Sequence, residues 1–103
     1  MPLRVFAMTK TPQLLVHDHH DNVAVVVVEN LTAGRDIFGV VTEDNSEIRA
    51  VCNQDVPIGH KVALRDLAVG EAVIKYGQDI GKVIQPIRRG DHVHTHNLKT
   101  KRW

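Results

Sequence analysis

Three histidines alternate along a short stretch near the C-terminus. The sequence Gly90-Asp-His-Val-His-Thr-His-Asn-Leu98 contains His92, His94 and His96, three of only seven histidines in the chain. Because successive side chains of a β-strand point to opposite faces, a strand here would present all three imidazoles on one face. Imidazole is a ligand for iron, zinc, nickel and copper, so the spacing indicates a metal site.

The geometry of a strand limits which of these histidines can share one ion. Cα atoms two positions apart are separated by roughly 6.5 Å, and those four apart by about 13 Å. With metal–nitrogen bonds of about 2.1 Å, neighbouring members of the trio can share an ion, and the outer pair cannot unless the strand bends sharply. We therefore expect His94 and His96 to be ligands, with a third ligand from the His17–His20 segment, where His17 is the first choice, or from another chain. The alternative is that these histidines are exposed polar residues on a sheet edge.

Two lysines lie beside glycines, where a ligand can approach the backbone. Lys61 follows Gly59 and His60, and Lys75 precedes Tyr76 and Gly77. A lysine binds a carboxylate or sulfonate as a point charge, or acts as a base when desolvated. Anion binding is favoured for Lys61. For Lys75, anion binding and an ordinary surface role are equally favoured.

The remaining candidates are divided between substrate contacts and structural roles. His60 and His92 are predicted substrate contacts, and Asn97 either orients the substrate or caps the end of its strand. Asp21 and its neighbour Asn22 are expected to hold a turn through side-chain-to-backbone hydrogen bonds. Tyr76 is predicted to be a packing residue with a bonded hydroxyl. Thus Lys61, Lys75 and Asn97 form the predicted catalytic set.

Runs of β-branched residues separated by turn signals predict a mainly β fold with little helix. Val23–Val28 favours a strand that is buried on both faces. Asp36–Val41 and Ile48–Val51 flank the turn-forming sequence Glu43–Ser46, which predicts a hairpin. These short strands indicate a compact barrel of bent hairpins.

A weak internal repeat, apolar-x-x-Gly-x-x-apolar, supports this architecture. Each copy is typical of a strand end, a turn whose glycine takes positive φ, and the start of a new strand. The irregular spacing excludes a solenoid and favours a pseudo-symmetric fold. The four copies are Leu31–Ile37, Val56–Val62, Leu67–Val73 and Ile87–Val93.

Length and composition bound the class of protein. A chain of 103 residues allows one domain with a modest core, predicted over residues 14–103 after an extension or first strand at 1–13. A net charge of +1 does not indicate nucleic acid or an anionic membrane as a partner. The single cysteine, Cys52, excludes an internal disulfide, is expected to be a buried small hydrophobe, and fits a cytoplasmic location.

An ordered set of motifs resembles the SAF portion of the altronate/galactarate dehydratase family, a small β-clip fold. The resemblance extends from about His17 to the C-terminus. Within the family, the branch of (2R)-sulfolactate sulfo-lyase small subunits is the most similar, on the segments His17-Asp-x-x-Asp21 and His96–Trp103. The sugar-acid dehydratases carry a histidine where this chain has Asp18, which weakens transfer of that histidine's role to His17 and favours the sulfo-lyase branch or an unassigned one. The shared motifs are Asp21–Val25, Gly59–Leu64, Ile74–Gly77, Ile80-Gly81 and His92–Asn97.

The resemblance implies a small, free-standing lyase subunit that works with a larger catalytic chain. The implied reaction removes a proton α to a carboxylate of a small anionic 2-hydroxy acid, after which water or sulfite leaves. The implied cofactor is a divalent metal ion, with iron as the first choice. The general base is not assigned, and self-association is left open. The alternative is a non-catalytic SAF-type ligand-binding or interaction module.

Overall fold

The computed structural model describes residues 11–100, which form nine β-strands and no helix. The mainly β prediction is therefore confirmed. Most of the predicted N-terminal extension lies outside the described residues, as does the C-terminal Trp103. The strands are β1 (Leu14–Val16), β2 (Val23–Val26), β3 (Asp36–Val41), β4 (Ser46–Val51), β5 (Lys61–Ala63), β6 (Ala72–Lys75), β7 (Gln78–Val83), β8 (His92–Val93) and β9 (Leu98–Thr100).

The strands form two open sheets rather than a closed barrel. Six of them hydrogen-bond in the order β4-β3-β1-β2-β5-β8, and the other three in the order β6-β7-β9. Closing a barrel requires the last strand to pair with the first. Here β4 and β8 remain at opposite edges of the larger sheet. The pairing of β8 with β5 brings two histidine-bearing segments together.

The valine-rich run forms the centre of the larger sheet. β2 pairs antiparallel with β1 on one side and with β5 on the other. Val23 and Ala24 are adjacent and both buried, so β2 is covered on both faces as predicted. The strand ends at Val26, two residues before the predicted end, where the Val26 carbonyl accepts a hydrogen bond from Gly59 N (2.8 Å) at a turn.

The four repeats behave as the sequence predicts. Their glycines, Gly34, Gly59, Gly70 and Gly90, have φ between 84° and 91°. The first residues of the repeats pair two by two in isolated bridges, Leu31 with Val56 and Leu67 with Ile87. Each pair contributes its apolar ends to a separate core cluster, which explains the pseudo-symmetry of the fold.

The other local predictions agree with the structure. β3 and β4 form the expected hairpin, with Asn45 at a φ of 65° in the connecting turn. Cys52 is buried within the larger core cluster, and burial raises the pKa of its thiol. Within residues 11–100, no helix has the length and apolar character needed to cross a membrane.

Candidate metal centre

Three histidines from two distant segments lie together beside β5 and β8. His60, His92 and His94 each offer a ring nitrogen, and these nitrogens all lie within 4.8 Å of one another. His60 Nδ1 and His92 Nε2 are 2.8 Å apart, and the rings of His60 and His94 stack with centroids 3.8 Å apart. An ion with tetrahedral bonds of about 2.1 Å holds its donor nitrogens about 3.4 Å apart. Small rotations of the rings would therefore bring the three nitrogens to distances at which they could bind one ion.

Strand pairing brings His60 and His92 together. His60 directly precedes β5 and follows the Gly59 turn, and its carbonyl accepts a hydrogen bond from Val26 N (2.9 Å). His92 begins β8, opposite Val62 of β5. Its amide donates to Gln54 Oε1 (2.8 Å), a contact across 38 residues that no local pattern in the sequence indicated.

The chain turns sharply after Val93, so the predicted strand across all three alternating histidines is wrong. β8 ends at Val93, and residues 94–97 form a turn before β9. Because of this turn, His94 stacks on His60. The ring centroids of His92 and His96 are 5.1 Å apart, much closer than residues four positions apart in an extended strand.

Asn97 holds that turn in place. Its side-chain Oδ1 accepts a hydrogen bond from His94 N (3.0 Å), and its Nδ2 donates to the His92 carbonyl (2.9 Å). Asn97 is buried, and both ends of its amide are bonded to backbone. These contacts support the capping alternative rather than substrate orientation.

The electrostatics favour neutral imidazoles at two members of the group, His92 and His94. Burial lowers the pKa of His92, and positive charge on His60 lowers it further. Burial and the His60 charge also lower the pKa of His94. Neutral imidazole is the metal-binding form. In addition, His94 Nδ1 is buried and has no hydrogen-bond partner within the described part of the chain. The donor set and this unpartnered nitrogen fit a divalent metal ion.

Of the two predicted lysines, Lys61 lies next to this group, because it directly follows His60 and pairs with Val93. Lys61 is half-buried in β5; burial lowers its pKa, and the charge of Lys75 lowers it further. The charge of Lys61 in turn acts on His92 and His94. Neither lysine forms an ion pair with a carboxylate of residues 11–100. The structure therefore places an uncompensated cation beside the imidazoles.

The histidines near the N-terminus and Tyr76 lie outside the three-histidine group. His17 stacks on Tyr76, with centroids 3.8 Å apart and an interplanar angle of 12°, and is not a member of the three-histidine group. Tyr76 is 59% exposed, so the prediction that it is a packing residue is wrong. His19 and His20 pair with Asp44 and Asp18 in exposed contacts of 2.8 Å each.

Asp21 and Asn22 join the two sheets through their side chains. The Asp21 carboxylate accepts hydrogen bonds from the amides of His17, Asp18, Tyr76 and Gly77. The Asn22 side chain donates to the Ala72 carbonyl and accepts from Ile74 N. These contacts give both residues the structural role that the sequence predicts.

Comparison with known proteins gives the same family as the motifs. The altronate/galactarate dehydratase SAF domain matches residues 12–101. The chain is 53% identical over 89 residues to (2R)-sulfolactate sulfo-lyase subunit alpha of Chromohalobacter salexigens, covering 86% of this chain and 95% of that one. The subunit alpha of Paracoccus pantotrophus is 59% identical over 64 residues, 62% of this chain and 96% of that one.

The chain belongs to the altronate/galactarate dehydratase SAF domain family. A longer relative shows how this domain occurs elsewhere in the family. Altronate dehydratase of Escherichia coli is 45% identical over 80 residues, which are 78% of this chain and only 15% of that enzyme. Both parts of the predicted resemblance, to the family and to the sulfo-lyase small subunits, are confirmed.

Proposed function

We propose that this chain is the small subunit of a metal-dependent lyase that removes sulfite or water from a small 2-hydroxy acid. The observation that carries the proposal is the three-histidine group beside a half-buried lysine that has no carboxylate partner among the described residues. A metal ion and a cation can stabilise the negative charge that develops when a proton next to a carboxylate is removed. The near-complete coverage of a sulfo-lyase subunit supports sulfite as the leaving group, and the likeness to altronate dehydratase supports water.

His60, His92 and His94 are the residues that would hold the metal ion, and the resemblance to the dehydratase family makes iron the first choice. When bound, the ion supplies Lewis-acid stabilisation of the charge that develops on the substrate carboxylate. His60 Nδ1 and His92 Nε2 are hydrogen-bonded at 2.8 Å, so one of these nitrogens must give up its proton, to its other ring nitrogen or to solvent, before both can bind an ion. The set predicted from the sequence, His94 with His96 and His17, stays a prediction that binding measurements can test against this one.

Lys61 is the proposed contact for the substrate carboxylate. Its ammonium is partly shielded from water next to the imidazoles, which strengthens its attraction for an anion. Lys75 stays a predicted second anion contact, and the direct substrate contacts predicted for His60 and His92 become metal contacts in this proposal. Asn97 is a positioning residue, because it acts through the turn that carries His94.

A larger chain of the same lyase is the proposed partner. In altronate dehydratase the matched segment is 15% of the enzyme, so this domain there belongs to a much longer chain. No general base is assigned among the described residues. We expect the larger chain to supply this base. The cytoplasmic location and the absence of nucleic-acid and membrane partners stay predictions.

Co-purification tests the proposed function directly. The tagged chain is isolated from its native cells, and the retained proteins are identified by mass spectrometry. We expect a larger dehydratase-like chain in stoichiometric amount, and a complex that releases sulfite and pyruvate from (2R)-sulfolactate or a 2-keto-3-deoxy acid from an aldonate. Recovery of the folded chain alone, without bound metal, would instead support the non-catalytic interaction module.

A lysine variant tests the anion contact within that complex. Lys61→Met is expected to raise KM by roughly 10- to 100-fold, because a charge-assisted hydrogen bond to the carboxylate is lost. Lys61→Arg should recover part of the loss, since it restores the positive charge. Lys82→Met removes an exposed lysine of β7 and serves as the matched control. An unchanged KM in Lys61→Met, with metal content preserved, would exclude Lys61 as the carboxylate contact.

A further inference from the structure

The turn between β6 and β7 holds an aromatic residue in an unfavourable backbone conformation. Tyr76 and Gly77 are its two central residues, with φ of 58° and 70°. A two-residue hairpin turn with positive φ at both positions strongly favours Asn-Gly. A bulky residue with positive φ is an outlier, and such outliers concentrate at functional sites. The fold therefore keeps a tyrosine where a smaller residue would form the turn more easily.

The surrounding contacts hold this tyrosine rigidly and yet leave it exposed. The Asp21 carboxylate accepts hydrogen bonds from Tyr76 N (3.1 Å) and Gly77 N (2.8 Å), and the ring stacks on His17. The side chain is nevertheless 59% exposed. A rigid, exposed tyrosine loses little conformational freedom when a partner covers it, and tyrosine is enriched among the residues that dominate binding energy at interfaces.

The position of Tyr76 indicates which partner would cover it. The Lys75 ammonium lies 5.2 Å from the centroid of the Tyr76 ring. Ile74, one residue before Lys75, is hydrogen-bonded to Asn22, which directly precedes β2. β2 in turn pairs with β5, which His60 directly precedes. The Tyr76 turn and the three-histidine group therefore lie at the two ends of the β2–β5 pair, roughly 13 Å of strand apart. A chain that encloses a substrate at the histidines and Lys61 would extend to Tyr76. Because such a chain would also take the Lys75 ammonium out of water, its surface must offer a negative charge there.

We propose that Tyr76 is the anchor through which this chain docks to the larger chain of the lyase, in a pocket with a carboxylate facing Lys75. The assignment rests on the proposed function, since it takes the larger chain as the partner. It adds a binding role to a residue that contributes nothing to the histidine site.

Fluorine NMR of the unsubstituted sequence tests this docking. Tyr76 is the chain's single tyrosine, so labelling with 3-fluorotyrosine gives one resonance. The free chain should show a solvent isotope shift between H2O and D2O, because the ring is exposed. Adding the larger chain recovered by co-purification, produced separately, should move the resonance and remove the isotope shift at a 1:1 ratio. Retention of the isotope shift in the saturated complex overturns the proposal. Loss of the isotope shift in the free chain at high concentration would indicate self-association, and it also overturns the proposal.

Three variants measure the contribution of the ring by titration calorimetry. Tyr76→Asn places a turn-compatible residue at the same φ and is expected to weaken binding of the larger chain by roughly tenfold or more. Tyr76→Phe keeps the ring and should bind within about threefold of the original chain. Val69→Ala alters another residue that is 59% exposed and should leave the affinity unchanged. Unchanged affinity in Tyr76→Asn overturns the anchor assignment alone, whereas failure of the unsubstituted chain to form any complex overturns the proposed function as well.

Discussion

Replacing His94 with alanine is expected to weaken binding of a divalent metal ion by about a hundredfold or more. The substitution removes one of three donors, and even residues that only orient donors typically contribute 10- to 100-fold. His60→Ala and His92→Ala should have similar effects, because their nitrogens belong to the same group. Titrations of the chain with Zn²⁺, and with Fe²⁺ without oxygen, measure this directly and need neither substrate nor partner.

Further histidine variants distinguish the two candidate ligand sets. His96→Ala and His17→Ala should bind the ion nearly as well as the original chain, because neither side chain belongs to the three-histidine group. His20→Ala, which alters a side chain that is 87% exposed, is the matched control. If His96→Ala and His17→Ala lose the ion while His60→Ala keeps it, the ligand set predicted from the sequence is right and the set derived from the structure is wrong.

Replacing Asp21 with asparagine is expected to lower the free energy of unfolding by about 3 kcal/mol. The carboxylate accepts two backbone hydrogen bonds from the segment before β2 and two from the β6–β7 turn, so it joins the two sheets. An amide keeps one oxygen acceptor but turns a donor group toward the other backbone amides, and each unsatisfied buried group costs about 1–3 kcal/mol. Urea denaturation measures the change.

A second aspartate provides the control for this experiment. Asp55 accepts a single backbone hydrogen bond, from Ala33 N at 2.9 Å, and is exposed. Asp55→Asn should therefore cost no more than about 1 kcal/mol. Equal losses in the two variants would show that Asp21 does not join the sheets through its four backbone contacts.

The strands and turns were largely predictable because their signals are local. A β-branched run restricts χ1 and favours a strand whatever lies around it, so β2 was found with an error at one end only. A glycine between two apolar positions permits positive φ, and all four repeat glycines adopt it. The two open sheets were not predicted, because sheet closure depends on which edges pair, and that is a property of the whole chain.

The three-histidine group was predicted only in part because its members come from different segments. Alternation along the sequence drew attention to His94, which belongs to the group, yet the spacing argument assumed a strand that the structure ends at Val93. The side-chain hydrogen bonds of Asn97 stabilise the turn there, and asparagine forms such bonds in many local settings, so its presence alone did not predict one.

The sequence by itself determined the mainly β fold, the positive-φ turns of the repeats, the family, and the presence of a histidine-rich site with lysines nearby. Each of these follows from residue types and short spacings. Only the tertiary structure decided which histidines meet. His60 and His92 are 32 residues apart and become neighbours because β5 pairs with β8, and His94 joins them because the chain turns after Val93. Local propensity acts over a few residues, whereas a shared ligand site depends on long-range strand pairing.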